Sequence, residues 1–172
     1  MKILHLLLAV FGVAACGALR AADTPAPLVE VVYVHPENFT DVKEAYVTTD
    51  RQRDEYLKEL KENIEDEAHN YIPAGQHLAL NITDVDMAGE FEQWHGPRFD
   101  EVRIVRDIYP PRVNLEFKLT DATGKVIKQG ERKITDIQFM DKPNTYFPDD
   151  PLRYEKKLLD DWFYDEFGLV KK

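Results

Sequence analysis

The sequence predicts an α+β fold, a mostly antiparallel sheet of about five strands with two helices packed on it as a two-layer sandwich. Three observations carry this expectation. Val113, Leu115, Phe117 and Leu119 alternate with Asn114, Glu116, Lys118 and Thr120, the period of a strand with one buried and one wet face. Asp121 to Gly124 supplies a turn, and the chain returns through Val126, Ile127 and Ile134 as the second arm of a hairpin. Two stretches, one near Asp50 to Tyr71 and one after Asp150, instead space their apolar residues by three or four, as the buried stripe of a helix requires.

Taken in order, the chain opens with a secretory leader over residues 1–22. Lys2 provides the positive start, and Ile3 to Ala15 is apolar apart from His5, a run short for a bilayer span. Two processing routes fit. Val13-Ala14-Ala15-Cys16 resembles a lipobox, which would make Cys16 a lipidated first residue; ordinary cleavage near Leu19 to Ala22 would release an unanchored chain. Residues 23–27 read as a short Pro-containing tether, and 28–172 as a single domain.

Leu28 to His35 is nearly continuous in β-branched and apolar residues, the pattern of a central strand covered on both faces. Pro36 ends it, and a polar loop follows. Leu57, Leu60, Ile64, Ala68 and Tyr71 mark the inner face of the first helix, with Lys58–Glu62 and Lys61–Glu65 pairs outside and Pro73 and Gly75 beyond its end. Leu78, Leu80 and Ile82 give a second strand, so strand, helix and strand fit a crossover between parallel strands. Asp84 to Asp100 reads as a loop, and Val102, Ile104 and Ile108 as a further strand broken by Pro110-Pro111 before the hairpin. An irregular aromatic stretch, Asp136 to Asp149, precedes a helix with Asp150 at its N-cap and Pro151 in its first turn. Leu152, Leu158, Leu159, Trp162, Phe163 and Phe167 form its core face, and Lys156–Asp160 and Lys157–Asp161 are placed on its outer face.

Composition narrows the function. The 44% hydrophobic share suits one ordinary core, and Cys16 is the only cysteine, so no disulfide staples the domain. A net charge of −10 argues against a nucleic-acid partner, because phosphate neutralisation needs a dense basic face. No cofactor-binding glycine loop, GxSxG elbow or HExxH spacing is present.

Two clusters remain as candidate sites. Arg98, Arg103, Arg106 and Arg112, with Trp94 and Tyr109 among them, concentrate the residue types that grip carboxylates, phosphates and protein partners. Their alternative role is to neutralise nearby acids. Asp84, Asp86 and Glu90 around Gly89 offer the carboxylate oxygens that hard cations prefer, without the spacing of an EF-hand loop. His95, with His77 and His35, could add nitrogen ligands, although no zinc spacing connects them.

The run Asp84-Val85-Asp86-Met87-Ala88-Gly89-Glu90, the later Tyr109-Pro110-Pro111-Arg112, the turn Asp121 to Gly124 with Lys125-Val126, and Leu152 to Lys156 with Asp161-Trp162-Phe163 together resemble an exported bacterial family, domain of unknown function 3016. That resemblance implies a single envelope or secreted domain of a Gram-negative cell, and brings no catalytic residue or cofactor with it. The leading expectation is a non-catalytic module, periplasmic or tethered to a membrane only through lipid on Cys16, that binds an envelope protein or a small anionic ligand. A metal-dependent hydrolase, with Asp84, Asp86 and Glu90 as ligands and His95 as base, is the rival, and a purely structural envelope protein the third reading.

Overall fold

In the computed structural model, which describes residues 28–43, 49–92, 96 and 102–170, the β-branched first run forms β1 (Val29–Tyr33). Its Val29 and Val31 are buried, while Val32 is 44% exposed. Thr49 then starts α1 (Asp50–Tyr71) with a capping box: its hydroxyl accepts from the Gln52 amide while the Gln52 side chain receives the Thr49 amide. The buried residues of α1 are Leu57, Leu60, Ile64, Ala68 and Tyr71, the five that the spacing predicts. Pro73 follows, and Gly75 at φ 84° turns the chain into β2 (His77–Asp86). The hairpin comprises β3 (Arg112–Thr120) and β4 (Val126–Thr135), with Asp121 accepting from the Thr123 and Lys125 amides across the turn. The chain closes with α2 (Arg153–Phe167).

The sheet order is β1-β2-β3-β4. β1 runs parallel to β2, from Val29 opposite Leu78 to Tyr33 opposite Ile82, whereas β2–β3 and β3–β4 are antiparallel. The α+β class is borne out, with a mixed four-stranded sheet where about five mostly antiparallel strands were expected. The missing strand is Val102 to Ile108, which makes a single bridge, Ile104 to Glu90, before turning through Tyr109. Val102 and Ile108 are 52% and 64% exposed, so their alternation reflects no buried face. β1 is also corrected from a central strand covered on both faces to an edge: among the described residues it pairs with β2 alone, and its Val32 faces outward.

Both helices cover the other face. Leu78, Leu80, Ile82 and Val85 of β2 and Val113, Leu115, Phe117 and Leu119 of β3 bury against them, with α1 over β1 and α2 over β3 and β4. Phe117 packs edge-on against Trp162 and Phe167 at centroid distances of 5.7 and 5.6 Å. The jump from Ile82 to Val85 in the core marks an irregularity in the β2–β3 register between Ile82 and Asp84. β2 thereby continues to Asp86, through residues that read as loop.

The start of α2 differs as well. Asp150 accepts from the Leu152 amide at 2.8 Å and holds a turn through Pro151, so the helix begins at Arg153 rather than directly after Asp150. Lys156 is not on the outer face: it is 7% exposed, and its ammonium bonds Glu59 of α1 and Asp150, each at 2.6 Å. Lys157 pairs with Asp161 as the spacing predicts.

Candidate functional site

Three segments meet beyond the C-terminal end of β2. Asp41 joins β2 as a short parallel extension, its amide donating to Val85 O at 3.1 Å and its carbonyl accepting from Met87 N at 3.0 Å. On the other side, Gly89 donates to Tyr109 O, and Glu90 and Ile104 exchange backbone bonds of 3.0 and 2.9 Å. Gly89 has φ 87°, and a Cβ there would lie 2.8 Å from Ile104 O, so both conformation and space require glycine. The third segment is the first turn of α2, where Glu155 reaches back to accept from Ala88 N at 2.7 Å.

Arg103 joins the first two segments. Its guanidinium donates to Gly89 O at 2.9 Å and to Asp41 Oδ1 and Lys43 O at 3.0 Å, and lies 4.6 Å from the Phe91 ring centroid. Asp41 is buried, so this pair is a structural joint as well as a positive wall.

Between the Arg103 loop and the α2 turn lies a cleft of about 250 Å³. Lys43, Arg103, Arg153, Asp149 and Asp150 supply its charges, Tyr56 and Tyr154 its phenols, and Met87, Val105, Pro148 and Pro151 its apolar wall. The charges are not equally engaged. Asp150 is held by Lys156, and Arg103 by Asp41. Arg153 donates to Pro148 O and, at 2.9 Å, to the Tyr154 hydroxyl, and it stacks 4.6 Å from that ring centroid. Among the described residues it has no carboxylate partner. Arg153 and Tyr154 also wall a second hollow of about 220 Å³, bordered by Met140, Lys142, Asn144 and Tyr146.

Glu155 sits behind this cleft, fully buried. One oxygen meets Ala88 N–H, and the other has no partner among the described residues. Burial pushes its carboxyl up to about 7, against the lowering pull of the Ala88 amide and the Arg103 charge.

The arginine-rich stretch is divided among different acids. Arg103 goes to Asp41 and lines the cleft; Arg106 contacts the buried Glu92 at 2.8 Å, where Tyr109 also donates at 3.3 Å; Arg112 pairs with Asp86 at 2.7 Å on the open sheet face. Trp94, Arg98 and His95 lie outside the described residues, as do Cys16 and the leader and tether over residues 1–27.

Asp84 and Asp86, two residues apart on β2, share the open face, opposite Asn114 and Arg112. Asp84 accepts from Thr40 N and Oγ1 at 2.7 and 2.9 Å, and Glu90 accepts from Phe91 N at 2.8 Å. Burial raises the Asp86 carboxyl, with Arg112 opposing, and Asp41 and Asp84 adding to the rise. Among the described residues no group of three or more His, Cys, Asp or Glu side chains is arranged to hold a metal ion. His35 follows the end of β1 and His77 begins the parallel β2, so the two lie at opposite ends of the sheet.

Sequence reasoning missed Arg153, Glu155, Lys43 and the two tyrosines. The available signal was local: Arg153-Tyr154-Glu155-Lys156 puts four polar or amphipathic residues directly after Pro151, where only some can face solvent.

Fold and site together define a small α+β domain whose helices cover one sheet face, with a mixed-charge cleft at the end of its second strand. The chain matches the family model described as protein of unknown function DUF3016 over residues 27–165, and belongs to that family. No curated protein and no solved structure matches it.

Proposed function

We propose that this domain is a non-catalytic binding module of the cell envelope, exported by its leader, that holds an anionic group in the cleft between Arg103 and Arg153. The observation that carries the reading is Arg153: a half-buried guanidinium stacked on Tyr154, walling the cleft, with no carboxylate to neutralise it among the described residues. Planar guanidinium groups suit carboxylate and phosphate oxygens. Lys43 and Arg103 add positive charge on the opposite wall, and Tyr56 and Tyr154 add donors. The ligand is a free anion or an acidic side chain of an envelope protein. A binding role fits better than catalysis because Glu155, the acid with the most shifted protonation, has no exposed surface from which to exchange a proton with a ligand.

Thermal melting against a panel of dicarboxylates, sulfate and acidic peptides tests this. A true ligand at about 100 times its Kd stabilises the native state by about 2.7 kcal/mol. Arg153→Glu is expected to melt within about 1 kcal/mol of the wild type and to lose that stabilisation. Arg103 is unsuited to the comparison, since its removal strands buried Asp41. Melting that rises with added divalent metal and with no anion would support the hydrolase reading instead, and a protein indifferent to both would support a structural one.

A further inference from the structure

The open edge of the sheet carries a charge pattern that the isolated chain leaves unresolved. β4 is an edge strand of ten residues, none of them buried. Its outward backbone groups have no strand beside them among the described residues, and such an edge is a template for another strand. On the open face, Glu131 stands directly opposite Glu116 of β3, and Lys133 stands opposite Asn114. Like charges in directly opposed positions repel. All three charged side chains are exposed, and none has an ion-pair partner among the described residues. On the helix face, by contrast, Arg132 is held by both oxygens of Glu166 at 2.8 and 3.0 Å, with Lys128 beside them.

We propose that β4 pairs antiparallel with β4 of a second copy of this chain, about a two-fold axis at Arg132, continuing the sheet across two protomers. A two-fold axis perpendicular to the sheet keeps each face continuous, so only registers that oppose residues of the same face are allowed. Among those centred between Gly130 and Lys133, which overlap the middle of the two strands, the charges select one. Centring on Glu131 or on Lys133 sets that residue against itself, and centring on Gly130 leaves Glu131 opposite the uncharged Gln129. Centring on Arg132 sets Glu131 against Lys133 of the second copy, twice by symmetry. The two Arg132 side chains then meet near the axis, each already neutralised by its own Glu166. Lys133 of the second copy gives Glu131 the cation that neither β3 nor β4 provides directly opposite it.

Sedimentation velocity over a concentration series, on the protein as purified from cells, tests the pairing. The wild type is expected to sediment as a dimer. Lys133→Glu opposes glutamate to glutamate at both contacts and is expected to weaken self-association by about tenfold or more, with unchanged melting of the protomer. The swapped variant Glu131→Lys with Lys133→Glu restores opposite charges in the same register and is expected to recover the dimer. A wild type that stays monomeric, a dimer insensitive to Lys133→Glu, or a swap that fails to recover association would each overturn the proposal.

Discussion

Glu155 shows how little a residue's letter says about its state. As part of a polar run after Pro151 it reads as a charge, yet the fold seals it completely and ties it to Ala88 N–H. Its carboxyl rises to about 7 from an ordinary value of 4.5 because burial penalises the ionised form. A folded-state value above the unfolded one means that the stability is fully present below about pH 4.5 and is lost as the pH rises through about 7. The loss is on the order of 3 kcal/mol. Glu155→Gln keeps an acceptor for Ala88 and cannot ionise, so its stability relative to the wild type is expected to grow by about that amount between pH 4.5 and 8. Denaturant melts across that range check this, and a difference that stays constant with pH would contradict it. The arginines make the same point from the other side. Their clustering is legible in the sequence, but whether each is engaged depends on Asp41, Asp86 and Glu92, of which Asp41 and Asp86 are far away along the chain. Among the described residues Arg153, outside the cluster, is left without an acid.

At the scale of elements, legibility followed periodicity. The buried face of α1 and the turn of the hairpin could be read from spacing alone, since helical periodicity and turn chemistry are each set within a few residues. β2 could not be read to its end, because the irregularity at Ile82 and Asp84 breaks the alternation while the strand continues. The Val102 to Ile108 stretch failed in the opposite sense: it alternates, but finds only one bridge because its neighbours Gly89 and Glu90 leave β2 there. Lys156 illustrates packing between helices overriding a local pattern. An i,i+4 partner at Asp160 was available, yet Lys156 points inward to bond Glu59 and Asp150, and Asp160 instead receives the Tyr71 hydroxyl. The two hydrogen bonds link α1, α2 and the turn that shapes the cleft. Lys156→Met is therefore expected to destabilise the domain by about 1.5 to 3 kcal/mol, the range for lost hydrogen bonds to charged groups, measured as a lower denaturant midpoint with unchanged slope.

At the scale of the whole molecule, the α+β class and single core were legible, whereas the sheet order was not. A run such as Leu28 to His35 is apolar enough for a central strand, and only the paired neighbours reveal that Val32 sits on an open face at an edge. The one-sided sheet sets where the cleft forms. Two helices seal one face, no helix covers the other among the described residues, and irregular segments collect at the end of β2, where Arg103, Lys43 and the first turn of α2 enclose the cleft. Binding at that cleft is the central claim, and an amide chemical-shift titration with succinate at constant pH and ionic strength tests it most directly. Saturable shifts confined to Ala88, Arg103 and the Asp149 to Glu155 turn, absent in Arg153→Glu, are the predicted result. Shifts that never saturate, that scatter over the surface lysines, or that persist unchanged in Arg153→Glu would contradict it.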